Sequence, residues 1–250
     1  MTYGSSDRPS DRPSDRFLDG PFDTPPDREP NRLLNNNRLV VSYLMLRKAI
    51  GCLGIALPFV LAIGGALLFR ANLQETISDY YYTGMGDVFV GTLFAMGVFL
   101  FSYKGYGKKD NRAANIAAVC VIGTALFPTT PGLAVTSEPT TLAAVVGKVH
   151  IVFATLYFAT LAYFSLFLFT KSDPTRPPTP RKVQRNRVYR ICGYLIVWAL
   201  VAIALLAILP DSWTAVFEGL NPIFWLESIA VIAFGVSWFV KGEGILEDKA

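Results

Sequence analysis

The sequence contains one histidine, His150, and three cysteines. A hydrolytic zinc centre needs several imidazole or thiolate ligands, so one histidine argues against that chemistry. Cys52, Cys120 and Cys192 all fall inside apolar stretches. There a thiol acts as a small hydrophobe, and no structural disulfide is expected. Charge is scarce as well, at 17% of residues against 52% hydrophobic, where soluble domains carry about a quarter charged residues. No phosphate loop, nucleotide motif or Ser-His-Asp spacing occurs, which argues against an ATP-driven pump. The Gly105-Tyr106-Gly107 turn is a short connection, not a phosphate cradle.

The remaining charge is unevenly placed. Most of it sits in the first 37 residues and in a few short connections, separating long runs with almost none. Mean hydropathy is +0.39. This is a bilayer pattern, because backbone polar groups in hydrocarbon must be paired within a helix. The net charge of +4 is therefore read as lipid-facing and orienting, with no nucleic-acid partner.

Residues 1–37 read as a disordered tail. They open on a tetrapeptide repeat, Ser6-Asp7-Arg8-Pro9, Ser10-Asp11-Arg12-Pro13 and Ser14-Asp15-Arg16-Phe17. Such a segment buries too little apolar surface to offset its ordering entropy. A partner-binding or phosphorylatable arm is the functional alternative. The first apolar run lacks a small-residue cleavage site and is not read as a signal peptide.

Residues 38–241 read as an all-α, polytopic membrane domain, a six-transmembrane-helix bundle. Its spans are placed at 49–69, 85–103, 113–127, 142–169, 188–209 and 222–240, followed by a short cytoplasmic C-terminus at 242–250. The third is short for a bilayer that takes about 20 residues. Its alanines (Ala113, Ala114, Ala117, Ala118, Ala125) predict a central helix packed on all sides. Small-residue stripes at Gly54, Pro58, Ala62 and Ala66, and at Asp87, Gly91, Ala95, Val98 and Ser102, are read as helix-packing faces.

Basic residues alternate with the spans. Arg38, Arg47 and Lys48 precede the first. Lys104, Lys108, Lys109 and Arg112 follow the second, and Arg176, Arg181, Lys182, Arg185, Arg187 and Arg190 follow the fourth. The opposite connections are poor in bases: Arg70 stands alone in one, and Asp211 and Glu218 carry the last. Positive loops stay inside, so an N-in, C-in plasma-membrane topology is expected.

Ionisable groups within spans are functional candidates by default. Asp87, Lys148, His150 and Glu227 all fall toward the outer ends of their spans. The inner halves carry no comparable acid, so an outward-opening cavity is expected. Glu227, His150 and Asp87 are the candidate catalytic residues. Asp79, Tyr80, Tyr81, Tyr82, Lys148 and Thr129 are candidate ligand contacts. Each also has a structural reading. The tyrosines suit an interfacial belt, Asp79 and Asp87 suit a helix N-terminus, and Lys148 can snorkel outward. Glu227 needs a partner, for which His150 or Lys148 is expected. His150 and Glu227 together suit an acid–base pair or proton relay. A metal site from two carboxylates and one histidine would need three helices to converge. No cofactor or resident metal is expected.

Three segments carry a resemblance: Ile77-Ser78-Asp79-Tyr80, Ala125-Leu126-Phe127-Pro128-Thr129 and Gly147-Lys148-Val149-His150. With Phe234-Gly235-Val236-Ser237-Trp238 and Lys241-Gly242, the chain after Arg47 resembles bacterial six-helix membrane proteins of a domain-of-unknown-function family. These are distantly similar to eukaryotic autophagy-modulator and GPI-anchor-remodelling membrane proteins. The resemblance implies six helices and a polar site at the outer face, and it implies no reaction.

The leading expectation is a protein that binds, and could modify, a lipid or small amphiphile. A small proton- or ion-coupled transporter or channel subunit, and a non-catalytic scaffold, are the alternatives. Membrane lipids are the expected partners, alongside a second copy of the chain and a cytoplasmic partner of the tail.

Overall fold

The computed structural model describes residues 28–105, 107–131, 140–172, 175, 177–210, 213, 217, 219–243 and 245, with side chains described from Val40 onward. The Ser-Asp-Arg-Pro repeat, Tyr106, Arg176, Asp211 and Glu218 lie outside these residues. The chain divides into two units at Val40. Of the first, the described residues are helical from Arg28, so helix begins ahead of the tail boundary expected at 37. Everything below concerns the second unit.

Six helices make up the described fold, and no strand occurs among the described residues. They are α1 (Arg28–Phe69), α2 (Gly86–Ser102), α3 (Lys108–Leu126), α4 (Thr141–Tyr163), α5 (Pro180–Ile208) and α6 (Pro222–Lys241). A 3-10 turn at Ser78–Tyr82 precedes α2, and a π turn at Phe164–Leu168 extends α4.

Among the described residues, four segments are long and apolar enough to cross a membrane: Val40–Phe69, Thr141–Leu168, Pro180–Ile208 and Pro222–Lys241. α2 is apolar but shorter, with 17 residues. α3 spends its first turn on Lys108, Lys109 and Asp110. The outward faces are apolar too, with Leu67 76% and Ile208 77% exposed. Water would penalise such surfaces and hydrocarbon would not.

Local chemistry sets the helix ends. Thr140 and Thr179 accept the amides of Ala143 and Lys182 at 3.2 and 3.1 Å, each satisfying an otherwise orphaned donor. Pro180 and Pro222 stand where a missing N–H costs nothing. Asn221 takes a left-handed conformation, φ 47°, which asparagine tolerates better than most residues.

Packing revises three expectations. The central helix is α6, along which only Trp225 and Ile229 are exposed. α3 buries its alanines but leaves Asn115, Ile116 and Val119 exposed, so it is packed on one side. The small-residue face of α2 also points outward: Asp87, Gly91, Val98 and Ser102 are exposed, while Phe89, Leu93, Met96, Gly97 and Leu100 are buried. In α1, Gly54 and Pro58 are buried, but Ala66 is exposed. The closest approach uses Gly51 with Gly235 of α6. A Cβ on Gly235 would lie 2.6 Å from the Gly51 carbonyl oxygen and 2.7 Å from the Ile55 nitrogen, so backbone meets backbone there.

Polarity is not confined to one end. At the end where α2 finishes and α3 begins, Asp110 is 1% exposed and pairs with Lys171 at 2.8 Å. Arg47 and Arg185 are buried as well. Beside them Tyr103, Phe164, Phe169 and Trp238 form an aromatic cluster, with Tyr103 and Trp238 edge-on at 4.9 Å. The expectation of no buried acid in that half is therefore corrected. Lys108, Lys109 and Arg112 surround Asp110 in sequence, and nothing in that basic run signals a buried acid.

Candidate functional site

The opposite end is organised by the segment between α1 and α2. α1 stops at Phe69, and Arg70 turns the chain with φ 53°. Thr76 and Asp79 then close a reciprocal pair. The Asp79 carboxylate accepts the Thr76 amide at 3.0 Å, and the Thr76 hydroxyl accepts the Asp79 amide at 3.0 Å. This is capping-box chemistry, and it winds the 3-10 turn that begins at Ser78. Two further bonds tie the segment to the start of α6: the Phe224 amide donates to the Glu75 carbonyl at 2.9 Å, and the Asn221 side-chain amide donates to the Leu73 carbonyl at 3.0 Å.

So held, Ile77 and Ser78 face the bundle, and each meets a polar residue from a helix. The Ile77 amide donates to Glu227 Oε2 at 2.6 Å. Ser78 Oγ lies 3.0 Å from His150 Nε2. On the other side of the ring, His150 Nδ1 lies 2.7 Å from the Phe127 carbonyl and 3.1 Å from the Thr124 carbonyl. Carbonyls only accept, so Nδ1 carries the hydrogen. In the neutral ring Nε2 is then the acceptor and the Ser78 hydroxyl is its donor. The proton position follows from this network. Burial of both residues keeps water from competing for these bonds.

Ser78 and Glu227 also border a cavity. Its volume is about 40 Å³. That is room for a few waters. Leu57, Phe89, Leu93, Met96, Phe158 and Val231 give it apolar walls. Its polar groups are few: Ser78, Thr124, Tyr157 and Glu227. Thr124 spends its hydroxyl on the Cys120 carbonyl at 2.9 Å. The buried Tyr157 hydroxyl has no hydrogen-bond partner among the described residues.

The candidate residues separate on this geometry. His150 and Glu227 reach consecutive residues of one turn, though neither is the other's hydrogen-bond partner. The partner expected for Glu227 was a side chain; the one found is the Ile77 amide. Asp87 does not join them. It is exposed, on a separate depression beside Tyr81, Thr83 and Gly84. Lys148 is exposed on α4, as a snorkelling lysine would be. Asp79 is committed to Thr76, and burial pushes its carboxyl above the usual value of 3.8 while the Thr76 bond opposes that rise.

Tyr80 is buried, not part of a surface belt. Its ring packs under Gly65, 3.1 Å from where a Cβ would stand, and 6.2 Å from the Phe224 ring. Tyr81 and Tyr82 are half-buried and meet edge to face at 5.1 Å. The Tyr82 hydroxyl donates to the Thr129 carbonyl at 2.6 Å, so Thr129 contributes backbone rather than side chain. Among the described residues no three His, Cys, Asp or Glu side chains gather to hold a metal.

Sequence reasoning missed Ser78 and Tyr157. Ser78 was visible only as part of a polar run, and it meets His150 across 72 residues. Tyr157 is one aromatic in an aromatic-rich helix, and nothing local marks its hydroxyl as unpartnered. Compared with known proteins, the chain matches no family model, no curated protein and no solved structure.

Proposed function

We propose that this is a multi-pass plasma-membrane protein that binds a lipid or small amphiphile in the cavity between α1, α2, α3, α4 and α6. The apolar part of the ligand lies along Leu93, Met96 and Phe158. Its polar part faces Ser78, Tyr157 and Glu227. The observation that carries this reading is the composition of the walls, apolar with a small set of polar groups from separate elements. Binding sites for small molecules are commonly built this way. The mostly apolar lining suits an alkyl chain better than a sugar or a multiply charged solute.

The same reading takes all six helices as spans, with both termini in the cytoplasm. The basic segments Lys104–Arg112 and Arg181–Arg190 support that orientation. The site then opens toward the outer leaflet.

Lipid extraction from purified protein, followed by mass spectrometry, tests the binding. Ala154 lines the cavity, and Ala154→Trp would fill it. Wild-type protein is expected to carry one enriched amphiphile class, and a folded Ala154→Trp protein to lose it. Equal enrichment in both, or none in the wild type, contradicts the reading.

A further inference from the structure

We propose that Ser78 and His150 form a nucleophile–base pair that cleaves an ester-linked acyl chain held in the cavity. This deepens the amphiphile-binding reading and rests on it. The geometry has the parts that acyl transfer needs. Ser78 Oγ is 3.0 Å from His150 Nε2, within reach for proton transfer. His150 Nδ1 is fixed by the Phe127 and Thr124 carbonyls, which set the tautomer as an orienting carboxylate does in a Ser-His-Asp triad. Ser78 is one of the residues that border the cavity.

A purely structural serine–histidine clasp accounts for the bond but not for its place on an apolar wall. Nor does it account for Tyr157. That side chain is 6% exposed, lines the same cavity, and carries a hydroxyl without a partner among the described residues. Leaving a buried donor unmade costs free energy, and a ligand oxygen would recover that cost. An ester carbonyl oxygen, which gains negative charge on attack, is such an acceptor.

The step balances without a cofactor. Ser78 Oγ attacks the ester carbonyl carbon as its proton passes to His150 Nε2. The tetrahedral adduct collapses, the bond to the alcohol oxygen breaks, and that oxygen takes the proton from Nε2. The alcohol leaves and Ser78 is acylated. Water then attacks the acyl carbon with Nε2 accepting its proton. Collapse returns that proton to Ser78 Oγ and releases the carboxylic acid.

Hexadecyl fluorophosphonate, incubated with the full-length protein in detergent and mapped by peptide mass spectrometry, tests the pair. The wild type is expected to gain one adduct, on Ser78, and Ser78→Ala none. His150→Gln can still donate to the Phe127 carbonyl. It is expected to slow labelling at least about 100-fold, the lower range for a lost general base. Lipid extraction from the same wild-type sample separates the two readings. An enriched amphiphile with no adduct on Ser78 overturns the nucleophile and leaves binding intact. Labelling of Ser78 at an undiminished rate in His150→Gln overturns the base. The wild-type result depends on no variant folding.

Discussion

Glu227 Oε2 accepts the Ile77 amide at 2.6 Å across 150 residues of sequence. A carboxylate in a central helix is thereby joined to the turn that carries Ser78. The bond has a polar function and a structural one, since it satisfies a buried donor and fixes the turn that borders the cavity.

The two contributions separate by substitution. Glu227→Gln keeps an acceptor for Ile77, whereas Glu227→Ala leaves that amide unmade. The alanine variant is expected to lose about 1–3 kcal/mol and the glutamine variant clearly less, read as thermal unfolding in detergent. Equal losses would mean that the carboxylate charge, not the hydrogen bond, holds the turn.

Helix packing gives a contrast between two glycines. Gly235→Ala sets a Cβ 2.6 Å from the Gly51 carbonyl oxygen, where neither backbone can yield cheaply. A loss of about 1–3 kcal/mol is expected, the range for overpacking. At Gly91 a Cβ meets nothing within 4 Å, so Gly91→Ala is expected to be neutral or to gain up to about 1 kcal/mol from helix propensity. Unfolding curves of the two variants check both signs.

Asp79 supplies a pH dependence. Its carboxyl is raised above 3.8, chiefly by burial, so the folded state binds that proton more tightly than the unfolded chain. The resulting stability is complete below 3.8 and is lost as pH rises through the folded value. Asp79→Asn has no such titration and still offers oxygen to the Thr76 amide. Its melting temperature relative to wild type is expected to rise between pH below 3.8 and neutrality. A constant difference would contradict the desolvation of Asp79.

Helices were the legible part of the sequence. The last span, expected at 222–240, is the helix Pro222–Lys241, because Pro222 and a long apolar run mark it plainly. Hydropathy is silent about the polar start of α1, and it could not orient α2. The spacing of Asp87, Gly91 and Ala95 suggested a packing face, but small residues also suit an outward face. The larger Phe89, Leu93 and Met96 identify the buried one.

The candidate site was legible in part. Glu227 and His150 stood out because ionisable groups are rare in apolar helices. Their partners did not. Glu227 binds a main-chain amide, and His150 binds two main-chain carbonyls and one serine. Backbone groups are the same at every position, so no residue letter announces them. Tyr80 shows the same limit, since a tyrosine run reads alike whether it faces lipid headgroups or packs beneath a glycine.

Occupancy of the cavity by an apolar chain is the central claim, and photocrosslinking tests it most directly. Full-length protein in bilayers would be irradiated with a fatty acyl ester bearing a chain diazirine, and the modified peptides mapped. Adducts concentrated on Leu93, Met96 and Phe158, which line the cavity, and reduced by Ala154→Trp, are the predicted result. Adducts confined to outward residues such as Val98, Ile151 and Val152, exposed on the same helices, would contradict it.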